Sequence, residues 1–345
     1  MLKELESLPS GLLELRADQL HDALGGPALI HLPGRRDRPL FVSVLLHGNE
    51  DVGWEAVRRL LKKFSGGAGP ALPRALSLFI GNTEAAKAGV RRLPGQPDYN
   101  RVWPGSALPR TAEHAMMERV VEAMARRQVF ASIDLHNNTG LNPHYACVNV
   151  VRNEALHLAV LFSRVVVYFI RPRGVASMAM SRLCPAVTLE CGKVGQFHGV
   201  EHAADYLEAC LHLARHPAHP VPAHDIDLFH TVAVVRIPDG VRFGFGCQDL
   251  DLCLPDDLER LNFRELPAGT FFGTVRAGVG LPLEVRGEED QDVAARYFTV
   301  EGRSLLTRTP VMPSMLTRDE AVIRQDCLCY LMERYDPQTD AGDAA

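Results

Sequence analysis

His47 and Glu50 stand three residues apart in His47-Gly48-Asn49-Glu50, directly after the apolar run 40–46. A neutral imidazole and a carboxylate oxygen both suit zinc, and Gly48 lets the chain bend so that the two side chains aim at one point. His136 ends a second apolar run, 131–135, and Glu190 ends a third, 186–189. Two His and one Glu leave zinc a fourth position for water, whose pKa falls to roughly 7 in such sites. Glu190 is then placed to take the water's proton and return it to a leaving nitrogen. The chemistry expected is zinc-assisted hydrolysis of an amide, with one zinc per chain.

Such a set needs strands that end together. Runs 40–46, 75–80, 131–135 and 186–189 read as strands. Periodicity predicts helices over 51–64, 111–128, 153–166 and 200–215, with one or two short helices in 1–24. Alternating strands and helices argue for an α/β sheet flanked by helices, and in such sheets sites gather at the carboxyl ends of the strands. Segment 81–110 is rich in Gly, Pro and Arg without clean periodicity, and a stretch of that kind in a compact domain is often functional. Residues 65–73 read as a Gly/Pro loop. The Pro-rich stretch 216–222 marks a change of character. Beyond it come short β-like runs at 231–237, 241–245, 270–275 and 281–285. The expected division is a hydrolase domain over 1–220, a smaller β-rich domain over 221–335 and a tail over 336–345.

The bulk properties are those of an ordinary soluble protein. The 345 residues are 46% hydrophobic and 23% charged, enough to bury a large core. A formal net charge of −5 offers no electrostatic reason to expect nucleic acid or anionic membrane as a partner. The eight Cys contain no Cys-x-x-Cys pair. The N-terminus is no basic leader, and no run approaches the ~20 apolar residues of a membrane span. A cytoplasmic protein with reduced thiols is expected. No heptad or exposed apolar helix signals an oligomer interface.

Four blocks occur in order: His47-Gly48-Asn49-Glu50, Asp98-Tyr99-Asn100-Arg101, Asp134-Leu135-His136-Asn137 and Thr188-Leu189-Glu190-Cys191-Gly192-Lys193. Together they resemble the succinylglutamate desuccinylase/aspartoacylase branch of the zinc carboxypeptidases, over roughly residues 40–215. The resemblance implies a zinc carboxypeptidase-like mixed sheet. It makes His47, Glu50 and His136 the zinc ligands and Glu190 the catalytic carboxylate. It also makes Arg91 the group that polarises the scissile carbonyl, and Asn100 with Arg101 the pair that binds the substrate's free carboxylate. A planar guanidinium suits that grip. Asp98 is implied to orient a ligating His through its other ring nitrogen; Asp134, two residues before His136 on the same strand face, is placed to buttress it. The chain departs from the family pattern at Thr83, where Pro is frequent, and at Tyr99, where an aliphatic residue is usual. A further substrate-binding Arg has no aligned counterpart. Arg182 comes nearest, with Arg171 and Arg173 as alternatives, and Tyr297 matches a Tyr that reaches the substrate from the second domain.

Each element also has a plainer reading. Without context, a His at a strand end is more often hydrogen-bonded structure than a ligand. Arg91 adjoins Arg92, so one of the two is solvated. Asn100-Arg101 could form only a salt-bridged loop, and Asp134 could cap a neighbouring loop. His144 is a weaker substrate contact. Cys191 faces away from Glu190 on its strand, which argues against a nucleophile. Three functions remain open on sequence grounds: an N-acyl-amino-acid deacylase, a metallocarboxypeptidase of small peptides, and a non-catalytic zinc-binding protein on the same fold.

Overall fold

A computed structural model describes residues 2–64, 70–246 and 249–337. Residues 65–69 of the expected Gly/Pro loop and 338–345 of the expected tail lie outside them. The chain forms two compact units, Met1–Asn137 with His144–Asp227, and Asn138–Pro143 with Leu228–Ala345. The division thus falls at 227/228, and the six residues after Asn137 go with the second unit.

The first unit carries strands β1 (Lys3–Leu5), β2 (Ala28–Leu32), β3 (Leu40–Val44), β4 (Leu76–Ile80), β5 (Ala131–Asn138), β6 (Tyr145–Val148), β7 (Val165–Tyr168) and β8 (Ala186–Lys193). Its helices are α1 (Leu20–Leu24), α2 (Val52–Lys62), α3 (Thr83–Ala88), α4 (Ala112–Arg126), α5 (Asn153–Val160), α6 (Ala176–Met180) and α7 (Phe197–His212). The strand order is β1-β2-β4-β3-β5-β8-β6-β7. β3 runs parallel to both β4 and β5. At one end Ser132 N donates to Pro185 O, and at the other Asn137 Nδ2 donates to Gly192 O. β8 therefore runs alongside β5 in the same direction.

Every residue of β3, β4 and β5 is buried, as expected of strands covered on both faces. Successive side chains take opposite faces. Phe41 joins the core formed by Met116, Met117, Val120 and Met124 of α4 with Trp103. Val44 meets α2, where a Cβ on Gly53 would come within 2.9 Å of both Val44 and Leu135. α7 packs beside α2, and Arg59 pairs with Glu201 across their exposed rim at 3.0 Å.

Several strand and helix assignments in the first unit differ from the sequence reading. The expected helix over 153–166 ends at Val160, and Val165-Val166-Val167-Tyr168 forms β7 instead. β-branched side chains fit a pleated surface better than a helix, and this local preference overrides the apparent periodicity. β2 and β6 are further strands, too short and too uniformly apolar to show a period. Within 81–110, α3 forms because Asn82 Oδ1 accepts from Ala85 N as an N-cap.

The second unit contains β9 (Asp227–Arg236), β10 (Phe243–Phe245), β11 (Leu252–Leu254), β12 (Phe271–Val275), β13 (Glu284–Gly287), β14 (Phe298–Glu301), β15 (Ser304–Thr307), β16 (Met312–Ser314) and β17 (Cys329–Arg334), with helices α8 (Ala294–Tyr297) and α9 (Glu320–Gln325). β9 pairs antiparallel with β13 and β17, and β10-β11-β12-β15-β14 form a separate sheet. Their shared core includes Val235, Phe272, Phe298 and Leu305.

No helix among the described residues is long and apolar enough to cross a membrane. Cys147, Cys184, Cys191, Cys210 and Cys329 are free and buried. Cys253 is disulfide-bonded, which corrects the expectation of reduced thiols throughout; Cys247 lies outside the described residues.

Candidate active site

The chain leaves β3 through Leu45, whose φ of 56° lies in the left-handed region. A non-glycine residue there is strained and persists only where its surroundings hold it. Leu45 is fully buried, and its carbonyl accepts from Asn82 N at 2.7 Å. The turn delivers His47 and then Glu50 just before α2 begins. Gly48 is needed here for a reason other than turn geometry. A Cβ at that position would stand 2.2 Å from the Ala85 carbonyl carbon of α3.

Glu50 is the hub of the cluster. Its Oε1 lies 2.8 Å from His47 Nδ1, and its Oε2 lies 2.8 Å from His136 Nδ1. Candidate ligand atoms of the three side chains all fall within 4.8 Å of one another. Each imidazole is held from behind. His47 Nε2 lies 3.0 Å from Asp98 Oδ1, and His136 Nε2 lies 2.8 Å from Asp134 Oδ2. Fixing one ring nitrogen in this way leaves the Nδ1 atoms aimed inward. The expected orienting contacts of Asp98 and Asp134 are both present.

The electrostatics suit a cation. Burial opposes ionisation of Glu50, but the two imidazoles hold its carboxyl far below the usual range. Burial likewise disfavours a charged His136, yet Asp134 and Glu50 raise its pKa well above the ordinary value. Burial and Arg91 push His47 down, while Glu50 and Asp98 prevail and raise it. Two buried imidazoles whose protonated forms are favoured by three surrounding carboxylates mark a place where one divalent ion can supply the positive charge instead.

Glu190 lies on β8, next to β5. Its Oε2 is buried and has no hydrogen-bond partner among the described residues. Burial raises its pKa first, with Glu50 and Asp134 adding and His136 and His47 opposing, to about 8. A carboxyl tuned close to neutral pH can both accept and return a proton. Cys191 beside it is fully buried, and burial with Glu190 raises its thiol far above the ordinary range, which disables it as a nucleophile.

Arg91 joins this cluster. Its Nη2 donates to Asp98 Oδ2 at 2.9 Å, and its Nη1 lies 3.6 Å from Glu50 Oε1. Asn100 Nδ2 lies 3.3 Å from His136 Nε2, while its Oδ1 accepts from Ala176 N. Arg101 Nη1 donates to Asn100 O at 2.9 Å. Two candidates remain. Arg182 lines a cleft with Arg38 and Arg74, residues that precede the strands. Tyr297 is 1% exposed in the core of the second unit, with its hydroxyl donating to Glu333 Oε1 at 3.3 Å.

Two contributors escaped the sequence reading. Ser43 Oγ donates to Asp134 Oδ1 at 2.6 Å, fixing the carboxylate behind His136. A lone serine within the apolar run 40–46 was the available signal. Asn137 accepts from Val52 N through Oδ1, donates to Gly192 O through Nδ2, and directs its own N–H toward Glu50 Oε2 at 3.3 Å. It ties α2, β5 and β8 together at the site.

A mixed α/β domain that gathers two imidazoles and a carboxylate where its central strands end is a domain with a cluster able to hold a metal ion. The chain belongs to the succinylglutamate desuccinylase/aspartoacylase family. The family model described as "Succinylglutamate desuccinylase/Aspartoacylase catalytic domain" matches residues 37–216, more than half of the chain. A succinylglutamate desuccinylase of Pseudomonas aeruginosa is 27% identical over 200 residues, covering 54% of this chain and 57% of that protein. The chain therefore spans little more than half the length of the curated relatives it matches. Among solved structures, the succinylglutamate desuccinylase of Chromobacterium violaceum superposes with a TM-score of 0.57 at 19% identity, covering 88% of this chain and 86% of that one. Murine aminoacylase 3 gives 0.52 at 14%, covering 87% and 96%. At these identities the structural likeness speaks to the fold.

Proposed function

We propose that this protein is a zinc-dependent hydrolase that cleaves the amide bond of an N-acyl amino acid beside a free carboxylate. The observation that carries the proposal is the convergence of His47, Glu50 and His136 within 4.8 Å beside a buried carboxyl, Glu190, whose pKa is raised to about 8. Family membership and the names of the matched relatives support the same reading. His47 Nδ1, His136 Nδ1 and the Glu50 carboxylate would hold the ion. Zinc bound there would act as a Lewis acid toward the scissile carbonyl and make a water nucleophilic near neutral pH.

The residues divide the remaining work. Glu190 accepts the attacking water's proton and delivers it to the departing nitrogen, and its buried carboxylate oxygen has no competing partner. Arg91, braced by Asp98, turns its guanidinium toward charge developing on the carbonyl oxygen. Arg101, fixed through the Asn100 carbonyl, receives the substrate's carboxylate, with Asn100 at its side and next to His136. Arg182 and Tyr297 have no step in this scheme.

A panel of N-succinyl, N-acetyl and N-formyl amino acids alongside dipeptides, assayed with zinc, tests the proposal. Release of free amino acid from acidic N-acyl substrates is expected. Preference for dipeptides would instead make the protein a carboxypeptidase. Stoichiometric zinc with no turnover on any member would make it a binding protein.

A further inference from the structure

A second concentration of charge lies at the opposite ends of the same strands. Ser132 N bonds Pro185 O, and Phe130 N bonds Pro39 O, so the chain enters β3, β5 and β8 at one place. A cleft of about 780 Å³ opens there, lined by Arg36, Arg38, Arg74, Arg152, Arg182 and Arg215. Ala131 and His136 are five residues apart on β5, which separates the cleft from the imidazole cluster by roughly 17 Å at ~3.3 Å per residue. All of the lining belongs to the first unit.

None of the six arginines is within ion-pair distance of a carboxylate among the described residues. The bonds they make go to backbone carbonyls. Arg36 Nη1 donates to His212 O, and Arg38 Nε to Gln128 O. Arg74 donates to Arg38 O and Leu213 O. Asp37 and Glu154 share the lining, and two carboxylates leave a clear cationic excess on a chain whose formal net charge is −5.

Arg74 is the least usual member. It is 2% exposed, with its guanidinium 3.5 Å from the Phe130 ring centroid and its Nε buried without a partner. Burial, then Arg36 and Arg38, lower its pKa to about 10. A buried cation with cationic neighbours and no anion is costly, and a bound anion offsets that cost. His216 stacks on Phe130 at 4.1 Å, so the floor is rigid. Around it Arg36, Arg38, Arg152, Arg182 and Arg215 are exposed and able to grip oxyanions in pairs. The first turn of α5 also lines the cleft, and its N-cap residue makes no side-chain bond to it. Its free N–H groups favour negative charge.

We propose that this cleft is a second binding site, separate from the hydrolytic centre, for a small polyanion bearing several phosphate or carboxylate groups. Its volume lies within the roughly 300–1,000 Å³ of small-molecule sites, and the chain's formal net charge of −5 disfavours a long nucleic acid. Arg182, unassigned at the hydrolytic centre, becomes one of its grips.

Isothermal titration of the full chain with sodium tripolyphosphate, ATP and citrate tests this, on metal-loaded and on metal-stripped protein. One saturable site per chain is expected, with the same affinity in both forms, weakening as salt screens the arginines. Tripolyphosphate and ATP above citrate would assign phosphate chemistry, and the reverse order carboxylate chemistry. The triple variant Arg152→Ala, Arg182→Ala, Arg215→Ala removes exposed side chains only and should weaken binding by about tenfold or more while zinc content is kept. Absence of saturable binding, binding unchanged in that variant, or binding that requires the metal would overturn the proposal. Tighter binding of a single-stranded oligonucleotide than of tripolyphosphate would do so too.

Discussion

Glu190 and the two acids behind the imidazoles divide the site between chemistry and geometry, and their variants should separate accordingly. Glu190→Gln keeps the cluster intact and removes the proton carrier. It should retain zinc stoichiometry and lower kcat by roughly 10²–10⁴-fold; unchanged turnover would sink the mechanism. Asp98→Asn and Asp134→Asn should each weaken metal affinity about 10–100-fold, since either releases one imidazole from its orienting contact. Competition with a zinc chelator measures this. Glu190 also makes a stability prediction for metal-stripped protein. Its folded pKa is about 8, while an unfolded Glu titrates near about 4.3. Below the lower value both states hold the proton. As pH rises between the two, only the folded state still holds it, so stability falls across that window and levels off above the upper value. The decline should be shallower in Glu190→Gln when melting temperature is followed from acid to alkaline pH.

At the scale of elements, the loop between β3 and α2 is the sensitive part. Gly48 leaves no room for a Cβ against the backbone of α3, so Gly48→Ala must displace either α3 or the His47–Glu50 turn. A cost of about 1–3 kcal/mol, typical of overpacking, is expected together with loss of metal binding. Denaturant unfolding and zinc titration give the two readings, and a fully metal-binding, fully stable variant would contradict the packing argument. Asn137→Ala should release the start of α2 and the end of β8 at once. About 1 kcal/mol is expected from the lost cap alone, while the backbone N–H that meets Glu50 is kept. The starts of α2, α4 and α5 and the strands β3, β4, β5 and β8 were readable from period and punctuation. The boundary at Val160 was not, because four β-branched or aromatic residues sat where the helical stripe continued.

For the whole molecule, the metal site joins segments far apart in sequence, with Glu50 and His136 separated by 86 positions. An ion bound only by the folded state stabilises it by about 2.7 kcal/mol at a hundredfold excess over its dissociation constant. Zinc should therefore raise the melting temperature, and a chelator should lower it. Both imidazoles have raised pKa values in the metal-free site, so binding near neutral pH should release protons and weaken as pH falls. Calorimetry in buffers of different ionisation enthalpy reads that release; a buffer-independent heat would mean that the imidazoles are already neutral.

Local sequence determined the family and singled out His47, Glu50, His136 and Glu190, which the fold brings together, because each belongs to a short block with a fixed spacing. It also pointed to Arg91, and Arg91 stands against Asp98 and Glu50. What it left open concerned residues outside such blocks. Arg182 and Tyr297 came from the family resemblance outside the four blocks; Arg182 lines a cleft at the strands' other ends, and Tyr297 packs into the core of the second unit. Tertiary structure alone decided that Ser43 and Asn137 contact the site residues, and that six arginines from five separate segments face one cleft without an ion pair among the described residues. Contacts of that kind depend on which strands become neighbours, and neighbouring strands here are distant in sequence.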